Sequence, residues 1–288
     1  MKFFTTYGDE KFLKQKKFAL IMAKMNGNFD KIMGYTPNDI DYEFYNKNKN
    51  ILSQKRGGGY WLWKPYFILK TLNKINNGDY LFYSDAGAFF LKKVDILIEE
   101  LKNSNQDIMG FELPLIESQW TKKELFINMD CDNDKYYNSN QILASFMLIK
   151  KTDFSVKFFE KFLEYSCNEI NLTDKFDKRI EQREDFIEHR HDQSIFSLLY
   201  KKNNLKSFKD PSQFGKYPSG YSANRMKKIE YEKLYILENG RKFRVNCFSE
   251  KYKEAIYLNK KELPIRSYLK YKIKEIMYFL KLYKGLVR

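Results

Sequence analysis

The chain has 288 residues, with 52 Lys and Arg against 37 Asp and Glu, a formal net charge of +15. Its 43% hydrophobic and 17% aromatic content excludes a mostly disordered chain, and a chain this long buries enough core to fold without disulfides or structural metal. No apolar run approaches the roughly 18–20 residues of a membrane-spanning helix, which excludes a transmembrane helix.

In MKFFTTYGDEKF, Asp9 and Glu10 stand where a signal peptide needs an apolar stretch, so a cytoplasmic location is expected. Lys2 to Thr6 reads as a short first strand. From Glu10 to Met25, apolar residues at Phe12, Leu13, Phe18, Ala19, Met22 and Ala23 follow a helical rhythm that Asn26–Gly27–Asn28 stops. Asp39 to Asn50 is polar and aromatic, a loop or short helix. The segment QKRGGGYWLWKP, Gln54 to Pro65, breaks all periodicity, and a helix from about Pro65 to Asn73 follows it, with Pro at a permitted first-turn position.

Asn76–Asn77–Gly78–Asp79 predicts a turn, and Tyr80 to Tyr83 a buried strand ending in Ser84–Asp85–Ala86–Gly87. Val94 to Leu101 reads as helix, Asp107 to Phe111 as strand, Asp130 to Asn140 as polar loop and Ala144 to Ile149 as a central strand. Phe154, Phe158, Phe159 and Phe162 mark a helix over Asp153 to Tyr165. A linker then runs to about Asp185, and a last helix starts near Asp192. Alternating strands and helices predict an α/β fold, a mostly parallel mixed sheet flanked by helices. From Pro264 to Arg288, seven basic residues face one acid, Glu275; Ile265, Tyr268, Leu269, Ile273, Ile276, Leu280 and Tyr283 recur at steps of three and four. This predicts an amphipathic basic helix.

The charge favours anionic partners. Of the 52 basic residues 43 are Lys, and Lys, Asn, Ile, Phe and Tyr share A/T-rich codons, so genome composition is one source of it. Cys131, Cys167 and Cys247 are too scattered for a disulfide framework or a CxxC metal site.

Three constellations carry chemistry. In YLFYSDAG, a buried strand delivers Asp85, followed by Ala86 and Gly87, to the end of the sheet where α/β proteins bind ligands; the structural alternative is that Asp85 caps a turn or helix. In RGGGYWLWKP, three glycines permit unusual backbone and expose amides to an anion. Arg56 and Lys64 can pair with phosphates there. Trp61 and Trp63 can stack on a ring, though core anchoring is their simpler role. In HRHDQ, His189 and His191 at i and i+2 do not share a helix face, and no third Cys or His completes a zinc site. Asp192 stands where it would cap a helix, and Gln193 has no evident structural duty.

Together these motifs, in this order with the opening TTYGDEKF, resemble bacterial nucleotide-sugar glycosyltransferases of the GT-A type from capsule and lipopolysaccharide clusters, distantly similar to the glycogenin/galactosyltransferase family. The resemblance spans roughly Lys2 to Tyr200. It implies a Rossmann-like domain over residues 1–250, binding a UDP-type nucleotide-sugar donor, and a basic helical extension over residues 251–288. Thr5, Thr6 and Tyr7 would then lie near the nucleotide base. Asp85 matches the first carboxylate of the family's Asp-x-Asp signature, whose second position here is Gly87. Asp85 would therefore hold Mn²⁺ or Mg²⁺ with fewer protein ligands, or Arg56 and Lys64 would neutralise the diphosphate instead. Asp192 and Gln193 match a dipeptide beside the anomeric carbon, where the reaction passes through an oxocarbenium-like state. Whether the anomeric configuration is retained or inverted stays open. The acceptor would be a saccharide or lipid-linked saccharide, with the C-terminal helix on an anionic inner membrane face. Two other classes compete: nucleic-acid binding, for which no recognition motif is present and which is not expected, and a non-catalytic peripheral membrane protein.

Overall fold

The computed structural model describes residues 1–216, 252, 254–259 and 264–279. Strands β1 (Lys2–Tyr7), β2 (Lys31–Tyr35), β3 (Tyr80–Ser84), β4 (Ala88–Phe90), β5 (Ile108–Ile116), β6 (Asn140–Lys150) and β7 (Ile256–Leu258) form two sheets, one ordered β2-β1-β3-β6-β5 and the other β4-β7. β1 pairs in parallel with β2 and β3, while β6 runs antiparallel to both β3 and β5. The mixed sheet expected from the sequence is thus present, with its parallel pairings confined to one half.

The central strands read as unbroken apolar runs because both faces are covered. Phe3, Leu81, Tyr83, Met147 and Ile149 enter one core with helices α2 (Trp63–Leu72), α4 (Asp153–Ser166) and α5 (Asp192–Lys202). Their neighbours Phe4, Phe82 and Leu148 point the other way, to α1 (Leu13–Met25) and α3 (Asp95–Asn103). Alternation with period two therefore feeds two helical layers from one sheet. Helix α4 starts where Thr152 caps it: its side chain accepts from Ser155 N, while Ser155 Oγ accepts from Thr152 N.

β2 carries no signal in the sequence. It is a half-exposed edge strand of five residues with Gly34 in fourth place. β5 is longer than Asp107 to Phe111 because its ladder with β6 continues through register shifts past Glu112, where the apolar run breaks. The polar stretch 130–140 holds a one-turn helix, Asp134–Tyr137. Helix α6 spans Pro264–Phe279; Leu280, Tyr283, the terminal basic residues and Cys247 lie outside the described residues.

Topology sets the position of the site. The chain leaves β1 for β2 on one side, then returns to build β3 on the other. The carboxyl ends of β1 and β3 therefore flank a topological switch point, where connections diverge and open α/β sheets bind ligands.

Candidate functional site

β1 ends at Thr5, Thr6 and Tyr7. The two threonines are fully buried, and their hydroxyls have no hydrogen-bond partner among the described residues. Tyr7 stacks on Trp63 with ring centroids 3.9 Å apart, so Trp63 is a core anchor. β3 ends one residue before Asp85, whose amide donates to Ser145 O at 2.7 Å and whose carboxylate accepts from Tyr83 Oη at 2.6 Å. Asp85 caps no helix with its side chain.

Helix α2 brings Lys64 under this strand end. Its ammonium lies 2.5 Å from Asp192 Oδ2 and 3.3 Å from Asp85 Oδ1, with Lys64 and Asp192 both buried. Burial pulls the Lys64 pKa down, but Asp192 and Asp85 outweigh it and hold the ammonium above its ordinary value. Burial likewise pushes the Asp192 carboxyl up further than Lys64 draws it down. Tyr83 is raised well above the ordinary phenol, by burial and then by Asp85, so it donates its proton and keeps it. Asp192 does not cap α5: His191 holds the cap position, with φ 55° and ψ −121°, and the Asp192 side chain turns to Lys64.

The glycine segment is a left-handed turn. Gly57, Gly58, Gly59, Tyr60 and Trp61 all have positive φ, from 50° to 93°. Gly59 has no alternative, since a Cβ there would sit 2.7 Å from Leu52 Cα. Two of the three glycine amides expected to face an anion are spent inside the chain: those of Gly58 and Gly59 donate to the Lys55 and Gln54 carbonyls, and the Tyr60 and Trp61 amides that follow donate to Arg56 and Gly57. The turn instead shapes a docking face. Trp61 stacks on His191 at 5.3 Å, and Tyr60 Oη donates to Asp174 at 2.8 Å. Arg56 reaches Asp174 and Glu188 at 2.8 and 2.9 Å.

His189 and His191 donate to the Asn171 and Leu172 carbonyls at 2.8 and 2.9 Å. Burial drives the His189 pKa well below its ordinary value and that of His191 to about 4, so both imidazoles are neutral at pH 7. They fasten the segment that leads into α5, whose first two residues are Asp192 and Gln193. Gln193 Nε2 donates to Gln141 Oε1 at 2.8 Å.

Lys64, Asp85, Asp192, Gln193, Thr5, Thr6 and Tyr7 are thus drawn to one end of the sheet, with Ala86 and Gly87 in the turn after β3, while Arg56 is engaged by two acids of the 174–188 segment. Sequence reasoning missed Tyr83, two residues before Asp85 and hydrogen-bonded to it, and Glu117, Gln141 and Asp174, which carry no motif.

These residues do not fit a divalent ion. The second carboxylate position is Gly87, the space between Asp85 and Asp192 holds the Lys64 ammonium, and no group of three His, Cys, Asp or Glu side chains among the described residues is arranged to hold a metal.

No protein-family model matches the chain, and no curated protein matches it. Among solved structures it is similar to the glycosyltransferase GlyE of Streptococcus pneumoniae (14% identity, TM-score 0.43), over 91% of this chain and 55% of that one. It is also similar to mouse xyloside xylosyltransferase 1 (10% identity, TM-score 0.47), over 92% and 99% of the two chains. A third is the galactosyltransferase LgtC in complex with donor and acceptor sugar analogs (13% identity, TM-score 0.41), over 91% and 87%. The chain thus spans little more than half the length of GlyE.

Proposed function

We propose that this chain is a glycosyltransferase that moves a sugar from a nucleotide-diphosphate donor to a saccharide or lipid-linked saccharide. The observation that carries the reading is the convergence, at the β1/β3 switch point, of Lys64, Asp85 and Asp192 from three motifs far apart in the sequence. Asp85, a quarter exposed and braced by Tyr83, offers an acceptor to sugar hydroxyls. The two carboxylates and one ammonium leave a net charge of −1, which favours a glycosyl centre gaining positive charge in the transition state. Asp192 and Gln193 line that centre. The carboxyl end of β1, at Thr5, Thr6 and Tyr7, is the nucleoside side of the crevice in this reading, an assignment that rests on the ordered motifs. The Lys64 ammonium occupies the space between the two carboxylates where a divalent ion would sit, and in this reading it takes the place of that ion. A UDP-type donor and a surface-polysaccharide setting belong to the same proposal and rest on the ordered motifs.

A membrane-facing acceptor is favoured by helix α6. Tyr268 seats it against Phe18 and Phe89, at centroid distances of 6.3 and 6.2 Å. Ile265, Leu269, Ile273 and Ile276 stay half exposed, each at 50–57%. An exposed apolar stripe beside Arg266, Lys270 and Lys272 suits an anionic lipid surface. No helix among the described residues is long and apolar enough to cross a membrane.

A thermal-shift series with nucleoside diphosphates and their sugars, with Mn²⁺ and with chelator, tests the reading. One nucleotide sugar should raise Tm equally under both conditions. No response to any nucleotide from folded protein rejects the transferase; a shift seen only with Mn²⁺ rejects the role given to Lys64.

A further inference from the structure

Behind Gln193 lies a buried polar network that the reaction so far leaves unused. Glu117 opens the one-turn helix Glu117–Trp120 directly after β5, and it is completely buried. Its Oε2 accepts from Lys201 Nζ and from Ser197 Oγ, and its Oε1 accepts from Thr121 Oγ1 at 2.5 Å. Oε1 also accepts from Gln141 Nε2 at 3.0 Å. Gln141, the second residue of β6, is equally buried.

The chemistry of these partners sets each amide without ambiguity. A carboxylate paired with a lysine can only accept, so the Gln141 group facing Glu117 is its NH₂. The same NH₂ faces Trp120 O at 3.3 Å, Thr121 Oγ1 at 3.2 Å and Ser194 Oγ at 3.4 Å. Thr121 has already given its proton to Glu117, and Ser194 has given its own to Trp120 O, so both can only accept here. The Gln141 oxygen must then face Gln193, and Gln193 must answer with its NH₂. Gln193 Oε1 accepts no hydrogen bond from the described residues and is not sealed from solvent.

We propose that Glu117, acting through Gln141, is a positioning residue that holds Gln193 with its carbonyl oxygen, rather than its NH₂, toward the donor crevice. This deepens the transferase reading and rests on it for its catalytic meaning. A carbonyl oxygen there stabilises positive charge at the anomeric carbon or accepts a proton from the acceptor hydroxyl, whereas an NH₂ does neither.

The test is Glu117→Gln, which preserves shape. Lys201 and Ser197 still demand an oxygen on their side, so the new amide turns its NH₂ to Gln141, Gln141 reverses, and Gln193 reverses in turn. Hydrogen exchange of the Gln193 side-chain NH₂, followed by NMR on ¹⁵N-glutamine-labelled protein and assigned with Gln193→Ala, reads this directly. The pair should be protected in the wild type and exchange about tenfold faster in Glu117→Gln, the loss of roughly one buried hydrogen bond. An unprotected pair in the wild-type protein, or equal rates in the two, overturns the proposal, and the wild-type measurement stands if the variant fails to fold.

The second readout is acceptor-free release of nucleoside diphosphate from a panel of UDP-, GDP- and CMP-sugars. In Glu117→Gln, kcat should fall about 100-fold, with donor Kd unchanged. Adding Lys201→Met and Ser197→Ala removes both donors that force the reversal, and Trp120 O then favours the native orientation, so the combined variant should recover activity. A combined variant slower than the single one overturns the proposal. A wild type that turns over none of the panel defeats the transferase reading instead, while the exchange rates still decide the amide polarity.

Discussion

The Lys64 ammonium lies 2.5 Å from Oδ2 of Asp192, a residue 128 positions away in the sequence, and both side chains are buried. Replacing Lys64 by Met strands a carboxylate in the interior, at a cost of about 3–5 kcal/mol. Because the Asp192 pKa is already raised, the loss should shrink as pH falls and Asp192 takes up a proton. Lys64→Met/Asp192→Leu should regain most of the stability and none of the activity. Urea titrations at pH 5 and pH 8 check the first two statements, and nucleotide release checks the third.

Asp85 is a quarter exposed, and its removal leaves Lys64 still paired with Asp192. Asp85→Ala should cost only about 1 kcal/mol, mainly the orphaned Tyr83 hydroxyl, yet lower turnover about 100-fold or more. Normal turnover in the folded variant would place the reaction elsewhere.

The left-handed turn separates two glycine effects. At Gly58 (φ 59°) an added Cβ meets nothing closer than 3.7 Å, so Gly58→Ala should cost only the conformational penalty, about 1 kcal/mol. At Gly59 the Cβ also strikes Leu52 backbone at 2.7 Å, so Gly59→Ala should cost several times more and loosen the stack of Trp61 on His191. Thermal melts and tryptophan fluorescence measure both.

His191 makes stability depend on pH. Its folded pKa, lowered to about 4 by burial against the partial pull of Asp174, lies below the ordinary imidazole value of about 6.5. As pH falls below about 6.5 the unfolded chain gains a proton that the folded chain refuses, so stability drops until about pH 4, by about 3 kcal/mol for this residue. His189 acts in the same direction. His191→Gln should remove that share of the slope; an unchanged pH profile would show that the imidazole is not held neutral.

Helix α6 offers a surface test. Leu269→Asp/Ile273→Asp places two charges on the exposed stripe without touching Tyr268, so folding should be unaffected. Flotation on phosphatidylserine vesicles should drop about tenfold or more, because two apolar contacts become two repelled carboxylates. Equal flotation would assign the stripe to another partner.

Much of this was legible in the chain itself. Apolar runs such as Tyr80–Tyr83 and the Phe154–Phe162 spacing identify strands and helices because burial on one or both faces writes a local period. The glycines of the Gly57–Tyr60 turn and the strand-end Asp85 stand out because their backbone or position is unusual locally, whereas the Asp192–Gln193 pair is marked only by the family resemblance. Edge strand β2 escaped because half exposure erases the period. What Lys64, Arg56, Glu117 and Gln141 do was decided only in three dimensions. Lys64 reads equally well as a phosphate ligand until α2 sets it between Asp85 and Asp192, and Arg56 until Asp174 and Glu188 claim it. A buried charge takes its role from whichever groups share its low-dielectric surroundings, and those come from distant parts of the chain that only the packed sheet brings together.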